Sequence, residues 1–191
     1  LVSIVRAKGL KEERSRSFNA SVDWYHYFGD FQANLLVEGF YTKLSDPFVL
    51  TPPVKDPDGS AYLIQTRING SGAKVYGGTL EGKVAYKDKV QLQAGLTLQR
   101  SIYDSPEEWS ADEEHLSEKE RYSDKILRTP DVYGYFTATY MPVKAFSIAL
   151  NGNYTGRMYV PHLLSEVNGE ADVLVKSPDF FELGTKIAYD F

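Results

Sequence analysis

The sequence contains no cysteine and only three histidines, and no apolar run approaches the ~18 residues of a membrane-spanning helix. Without cysteine there is no disulfide framework and no thiolate metal site. His26, His115 and His162 stand apart, with no legible Ser-His-Asp arrangement, so neither catalysis nor a metal site is expected. "NGSGAKVYGG" lacks the helix and later acid of a dinucleotide fingerprint, and no cofactor is expected. Acids outnumber bases, 26 to 21, and no basic stripe marks a nucleic-acid binder. The first residues lack a charged-then-apolar leader, as expected of a mature chain or an internal fragment.

What the chain has in quantity is aromatic residues: 14% of 191, with 14 tyrosines, which favours strands. In "VQLQAGLTLQ", Val90, Leu92, Ala94, Leu96 and Leu98 alternate with Gln91, Gln93, Gly95, Thr97 and Gln99. A strand points successive side chains to opposite sides, so this segment lies between an apolar and a polar medium. The same alternation recurs at 18–28, 31–41, 73–86, 132–140, 146–155 and 181–191, the third segment being extended upstream by "AYLIQTRI". The expected fold is all-β, an antiparallel up-and-down meander of about seven strands.

The connections alternate in length. "FGD", "KDK" and "MPVKA" are hairpin turns, whereas roughly 43–61, 102–130 and 157–179 are long. Short turns at one end and long loops at the other are the asymmetry of an outer-membrane barrel. On the apolar faces, Phe28, Phe31, Tyr86, Tyr140, Phe146, Tyr189 and Phe191 lie near the short turns or the chain end. Phe18, Tyr41, Tyr76, Tyr154 and Phe181 lie toward the loops, and small or aliphatic residues lie between. Two aromatic girdles flanking an aliphatic band fit a lipid-facing wall better than a core, whose bulk would be central. On this reading a charge at Leu96 is costly and one at Thr97 is tolerated. The competing expectations are a soluble or surface-attached β-sandwich that binds a ligand and, third, an outer-membrane barrel enzyme. Seven strands cannot close an up-and-down barrel, so the chain is expected to be part of a larger one.

Six segments, "GLKEERSRSFNASVDWY", "GFYTKLSDPF", "NGSGAKVYGGTLEGK", "RTPDVYGYFTATYMP", "NYTGRMYVPH" and "FFELGTKIAYDF", resemble consecutive barrel strands of TonB-dependent outer-membrane receptors, with the nearest likeness to those of the Bacteroidetes. The resemblance implies a 22-stranded barrel in the outer membrane of a Gram-negative cell, filled by an N-terminal plug that engages TonB. It implies uptake of a scarce nutrient such as an iron–siderophore, cobalamin or a glycan. Residues 1–191 then read as one partial domain from the C-terminal part of the barrel, without the plug and the terminal strands.

The expected partners are outer-membrane lipid, an extracellular nutrient and, through the plug, TonB. Long loops on a rigid scaffold carry binding, and aromatic or Arg side chains anchor ligands. The candidate substrate-binding residues are therefore Tyr103, Trp109, Arg157 and Tyr159, in or at the base of the loops. His26 reads as interfacial and His115 as part of a solvated acidic loop. Residues 104–128 hold nine acids and four bases, the whole net charge of −5. That loop is expected to be strand-free, dispensable for assembly and weakly attractive to cationic or metal-bearing cargo.

Overall fold

The computed structural model describes residues 2–55 and 63–190. The chain opens with β1 (Val2–Arg6) and a hairpin of β2 (Arg14–Phe28) and β3 (Phe31–Ser45). Three short strands follow: β4 (Phe48–Leu50), β5 (Val54–Lys55) and β6 (Leu63–Asn69). The hairpin of β7 (Ala73–Tyr86) and β8 (Val90–Glu108) leads into a helical turn, α1 (Glu118–Arg121), and β9 (Tyr122–Lys125). A third hairpin, β10 (Val132–Val143) and β11 (Phe146–Thr155), precedes β12 (Tyr159–His162) and α2 (Ser165–Asn168). Then come β13 (Val173–Lys176) and β14 (Phe180–Tyr189).

The main sheet runs β2-β3-β7-β8-β10-β11-β14, each strand antiparallel to its neighbours, which is the expected meander. The turns are short because Gly29 (φ +61) and Lys87 (φ +48) occupy the left-handed conformation that reverses a strand tightly. Adjacent turns are tied together: the Lys87 N–H donates to the Asp30 carbonyl at 3.0 Å, and its ammonium meets the Asp30 carboxylate at 3.0 Å.

The two faces are inverted relative to a soluble domain. Leu98 is 55% exposed and Leu183 65%, whereas Thr97 is 6% and Ser101 7% exposed. Ala73 is the one buried hydrophobic residue among those described. No described part of the chain forms a second layer over the apolar face, as a sandwich requires. The polar face instead bonds to itself. Thr79 and Thr97 share a hydroxyl–hydroxyl bond at 2.9 Å, Gln93 donates to Glu81 at 2.8 Å, and the Tyr135 hydroxyl donates to Glu81.

Register fixes the height of the aromatic residues. Phe28, Phe31 and Tyr86 are direct partners at the turn end, as are Phe18, Tyr41 and Tyr76 at the loop end. The lower row is continuous: Trp24, His26, Phe28, Phe31 and Tyr86 lie in ring contact in that order, with centroids 4.7 to 5.7 Å apart. Trp24 thus lies in Val22's row, and His26 sits inside an aromatic girdle. About ten residues separate the rows, or ~33 Å along a strand; a tilt of ~40° reduces this to ~25 Å, the height of a barrel's apolar band. Across the sheet the upper girdle steps downward. Tyr154 and Phe181 are in register with Val22, Val37, Leu80, Leu96 and Gly134, well below the row of Phe18. A girdle that drifts in register marks a level band crossed by tilted strands.

Two expectations are corrected. "AYLIQTRI" does not extend β7: its described part is β6, which pairs parallel with β1 and antiparallel with β4 and β5 in a separate sheet. Gly72 (φ +100) breaks the run, and a Cβ there would lie 2.7 Å from the Asp104 carboxylate. Nor is 104–128 strand-free. β8 continues to Glu108 and folds against β9, Glu107 pairing with Ser123 and Glu108 with Tyr122.

Candidate functional site

The long connections meet at one end of the sheet. The β8–β10 connection is built from its own charges. Arg121 pairs with Glu108 at 2.5 Å and Glu113 at 3.3 Å. Glu120 accepts from the Ser117 N–H at 2.9 Å and its hydroxyl at 2.6 Å, which lowers the Glu120 pKa. Glu107 accepts from the Ser71 N–H at 2.6 Å, and Asp104 binds Lys43 and Lys74. Most carboxylates of the acidic run therefore hold the loop in shape rather than face a ligand.

A buried polar clasp joins this loop to the β12–β13 connection. Ser110 is fully buried; its hydroxyl donates to Asp172 at 2.6 Å and accepts from the Asp112 N–H at 3.0 Å. Asp112, in turn, accepts from the Asp172 N–H at 3.0 Å and contacts His115 Nδ1 at 2.9 Å. Burial pushes the Asp112 carboxyl up, but the bonds from Asp172 and His115 outweigh it and hold the pKa low. The hydrogen bond to Asp112 raises the His115 pKa. Chemically the group holds two loops together: the imidazole meets Asp112 and the serine hydroxyl meets Asp172. The sequence contains "ADEEH", but the partner Asp172 lies sixty residues away, so periodicity could not have found it. Among the described residues no group of three His, Cys, Asp or Glu forms a metal cage.

The four candidate residues fall into two neighbouring cavities. Tyr103 extends from the polar face of β8, in register with Ala73, and lines a cavity of about 370 Å³ with Trp109. Phe48, Leu50, Pro52, Ile68 and Leu127 supply its apolar wall. Trp109 is fixed by its indole N–H, which donates to the Glu120 carbonyl at 2.9 Å. Arg157 and Tyr159 line a second cavity of about 410 Å³ with Ser101, Tyr154 and Lys176. Arg157 lies 3.6 Å from Asp179, and the Lys176 ammonium sits 5.2 Å from the Tyr159 ring centroid. Lys125, on β9, lines both cavities, and sequence reading missed it because β9 itself was not foreseen. Volumes of this size suit small ligands.

Three solved structures show the fold. The FrpB iron transporter from Neisseria meningitidis (F3-3 variant) superposes with a TM-score of 0.56 at 16% identity, covering 98% of this chain and 26% of that one. The copper transporter OprC matches with a TM-score of 0.59 at 15% identity, over 98% of this chain and 26% of its own. The ferric-catecholate import receptor Fiu from E. coli K12, in a closed form, matches with a TM-score of 0.60 at 13% identity, over 96% and 22%. This chain thus spans about a quarter of the length of these structures. No curated protein matches the sequence. The model of the TonB dependent receptor-like β-barrel family matches residues 3–191, and with that coverage the chain belongs to this family.

Proposed function

We propose that this chain is a wall segment, from the C-terminal part of the barrel, of an outer-membrane receptor of the Bacteroidetes type that imports a scarce nutrient. The observation that carries the reading is the exposed apolar band, bounded by two aromatic girdles whose separation matches a bilayer crossed by tilted strands. The chain contributes lipid contacts and loops; a plug elsewhere in the receptor engages TonB and admits cargo. Its role is transport rather than catalysis. Tyr103 and Trp109 form one candidate subsite, and Arg157 and Tyr159 the other. Iron and copper appear in the names of the structural neighbours, so iron–siderophore and copper complexes lead the cargo list, with cobalamin and glycans behind them. The test is uptake by cells making the full-length protein, with and without TonB. Accumulation of one such nutrient that disappears without TonB is expected; uptake indifferent to TonB would refute the reading.

A further inference from the structure

The loop-side girdle is followed by a row of positive charge on the same outward face. Arg16 on β2 pairs in register with Lys43 on β3, and Lys43 with Lys74 on β7. Each lies two residues beyond its strand's girdle aromatic, Phe18, Tyr41 or Tyr76. Arg100 on β8 is the direct partner of Tyr76 and completes the row. Four adjacent strands thus present four cations over roughly 14 Å, since neighbouring strands lie ~4.8 Å apart. One acid answers them: Asp104, 2.8 Å from Lys43 and 2.7 Å from Lys74. Arg16 and Arg100 are exposed and have no ion pair among the described residues.

The position of the row selects its partner. Two residues beyond the girdle is ~7 Å along a strand, which places the row at headgroup height while its side chains still face lipid. Groups at that height on that face meet the lipid's own polar groups, and a surplus of three positive charges suits phosphate. We propose that Arg16, Lys43, Lys74 and Arg100 form a docking site for the phosphate groups of the phosphorylated glycolipid in the outer leaflet. The site rests on the lipid-facing reading above. Asp104 spaces the two lysines and, by pairing with both, moderates the grip on lipid.

The test uses the full-length protein, purified and titrated with diphosphorylated lipid A. Replacing all four cations by Gln is expected to weaken binding at least tenfold, because basic groups near an anionic surface each add to the attraction. Lys83→Gln, on the polar face, is expected to change nothing. Asp104→Asn, which frees both lysines, is expected to tighten binding. Dephosphorylated lipid A is expected to bind the unmodified protein at least tenfold more weakly. Equal binding of lipid A by the fourfold variant, folded as judged by heat-modifiable mobility, would overturn the proposal. So would full displacement by millimolar inorganic phosphate, which would indicate a free-anion site. Fractionation separates the two readings. A receptor that sits in outer membranes but ignores the row loses only this proposal, whereas absence from outer membranes removes both.

Discussion

Asp112 and Asp172, sixty residues apart, meet directly across two loops: the Asp172 N–H donates to Asp112 Oδ2 at 3.0 Å. Both residues are almost fully buried, and each carboxylate accepts further hydrogen bonds. Asp112 accepts from the His115 N–H, and Asp172 from Ser110 and the Ser165 N–H. Because bonds to the charged forms hold these carboxyls low while Asp112 holds the imidazole high, the clasp has a definite pH range.

The sign follows from linkage. A raised His115 pKa contributes stability that is complete below the ordinary imidazole range and is lost as pH rises through the raised value. Lowered carboxyl pKa values contribute stability present above the ordinary carboxylate range and lost as pH falls through the lowered values. Glu114 and Asp172 also face His115 and act in the same direction as Asp112. Hydrogen exchange at the Asp172 and Ser165 amides, corrected for intrinsic rates, should therefore show strongest protection at roughly pH 4–6.5. Protection should fall on the alkaline side, and His115→Gln should abolish that alkaline limb alone. A flat profile would show that the imidazole charge plays no part.

A mid-band charge on the outward face should be expensive. Leu96 lies in register with Leu80 and Gly134, between the girdles, so Leu96→Arg should cost about 2–4 kcal/mol and deplete the assembled receptor. Sequence alternation offers Thr97→Arg as the tolerant control, but Thr97 is buried against Thr79. The better control is Ser21→Arg, an exposed polar-face position opposite Glu38. Quantifying heat-modifiable receptor in isolated outer membranes compares the two variants; equal losses would argue against a lipid-facing wall.

The strands were legible because one physical rule, a two-residue period between unlike media, governs them locally. Leu92, Leu96 and Leu98 needed only their neighbours to be placed on a face. The loops were not legible, because their contacts are remote. β9 forms through pairing with Glu107 and Glu108, acids that read as solvated in the sequence. β6 was merged into β7 because both are apolar and only the backbone at Gly72 separates them. Tyr103 and Trp109 were chosen as large aromatics near a loop base; that they line one cavity depends on Phe48 and Leu50, which come from another connection.

Phe136 departs from the small or aliphatic middle expected of the band, and Gly152 makes room for its ring. A Cβ there would lie 2.3 Å from the Phe136 ring and 2.7 Å from Phe181, two rings stacked with centroids 6.0 Å apart. Gly152→Ala should therefore destabilise the barrel by about 1–3 kcal/mol, the usual cost of overpacking. Phe136→Leu in the same chain should recover part of the loss. Thermal loss of the heat-modifiable form measures both, and an additive double variant would place the strain elsewhere.

The acidic connection gives the last prediction. Its charge gave reason to expect a lure for cationic cargo, but Asp104, Glu107, Glu108, Asp112 and Glu120 are all engaged within the protein. Glu114, Glu118 and Asp124 have no ion pair among the described residues, so neutralising these three should change cargo affinity little. Deleting 105–126 is not a clean test of the loop, because it removes the end of β8 and all of β9. Trp109→Ala is sharper. It empties one side of the cavity shared with Tyr103 and removes the bond to the Glu120 carbonyl. If this cavity holds cargo, affinity should fall about tenfold, equivalent to ~1.4 kcal/mol. Trp109→Phe, which keeps the ring and loses only the N–H, should fall less. Calorimetric titration of the purified full-length protein with whichever nutrient the uptake test identifies separates the outcomes. Unchanged affinity in Trp109→Ala, with assembly intact, would confine this tryptophan to bracing α1 and leave Tyr103, Arg157 and Tyr159 as the remaining candidates.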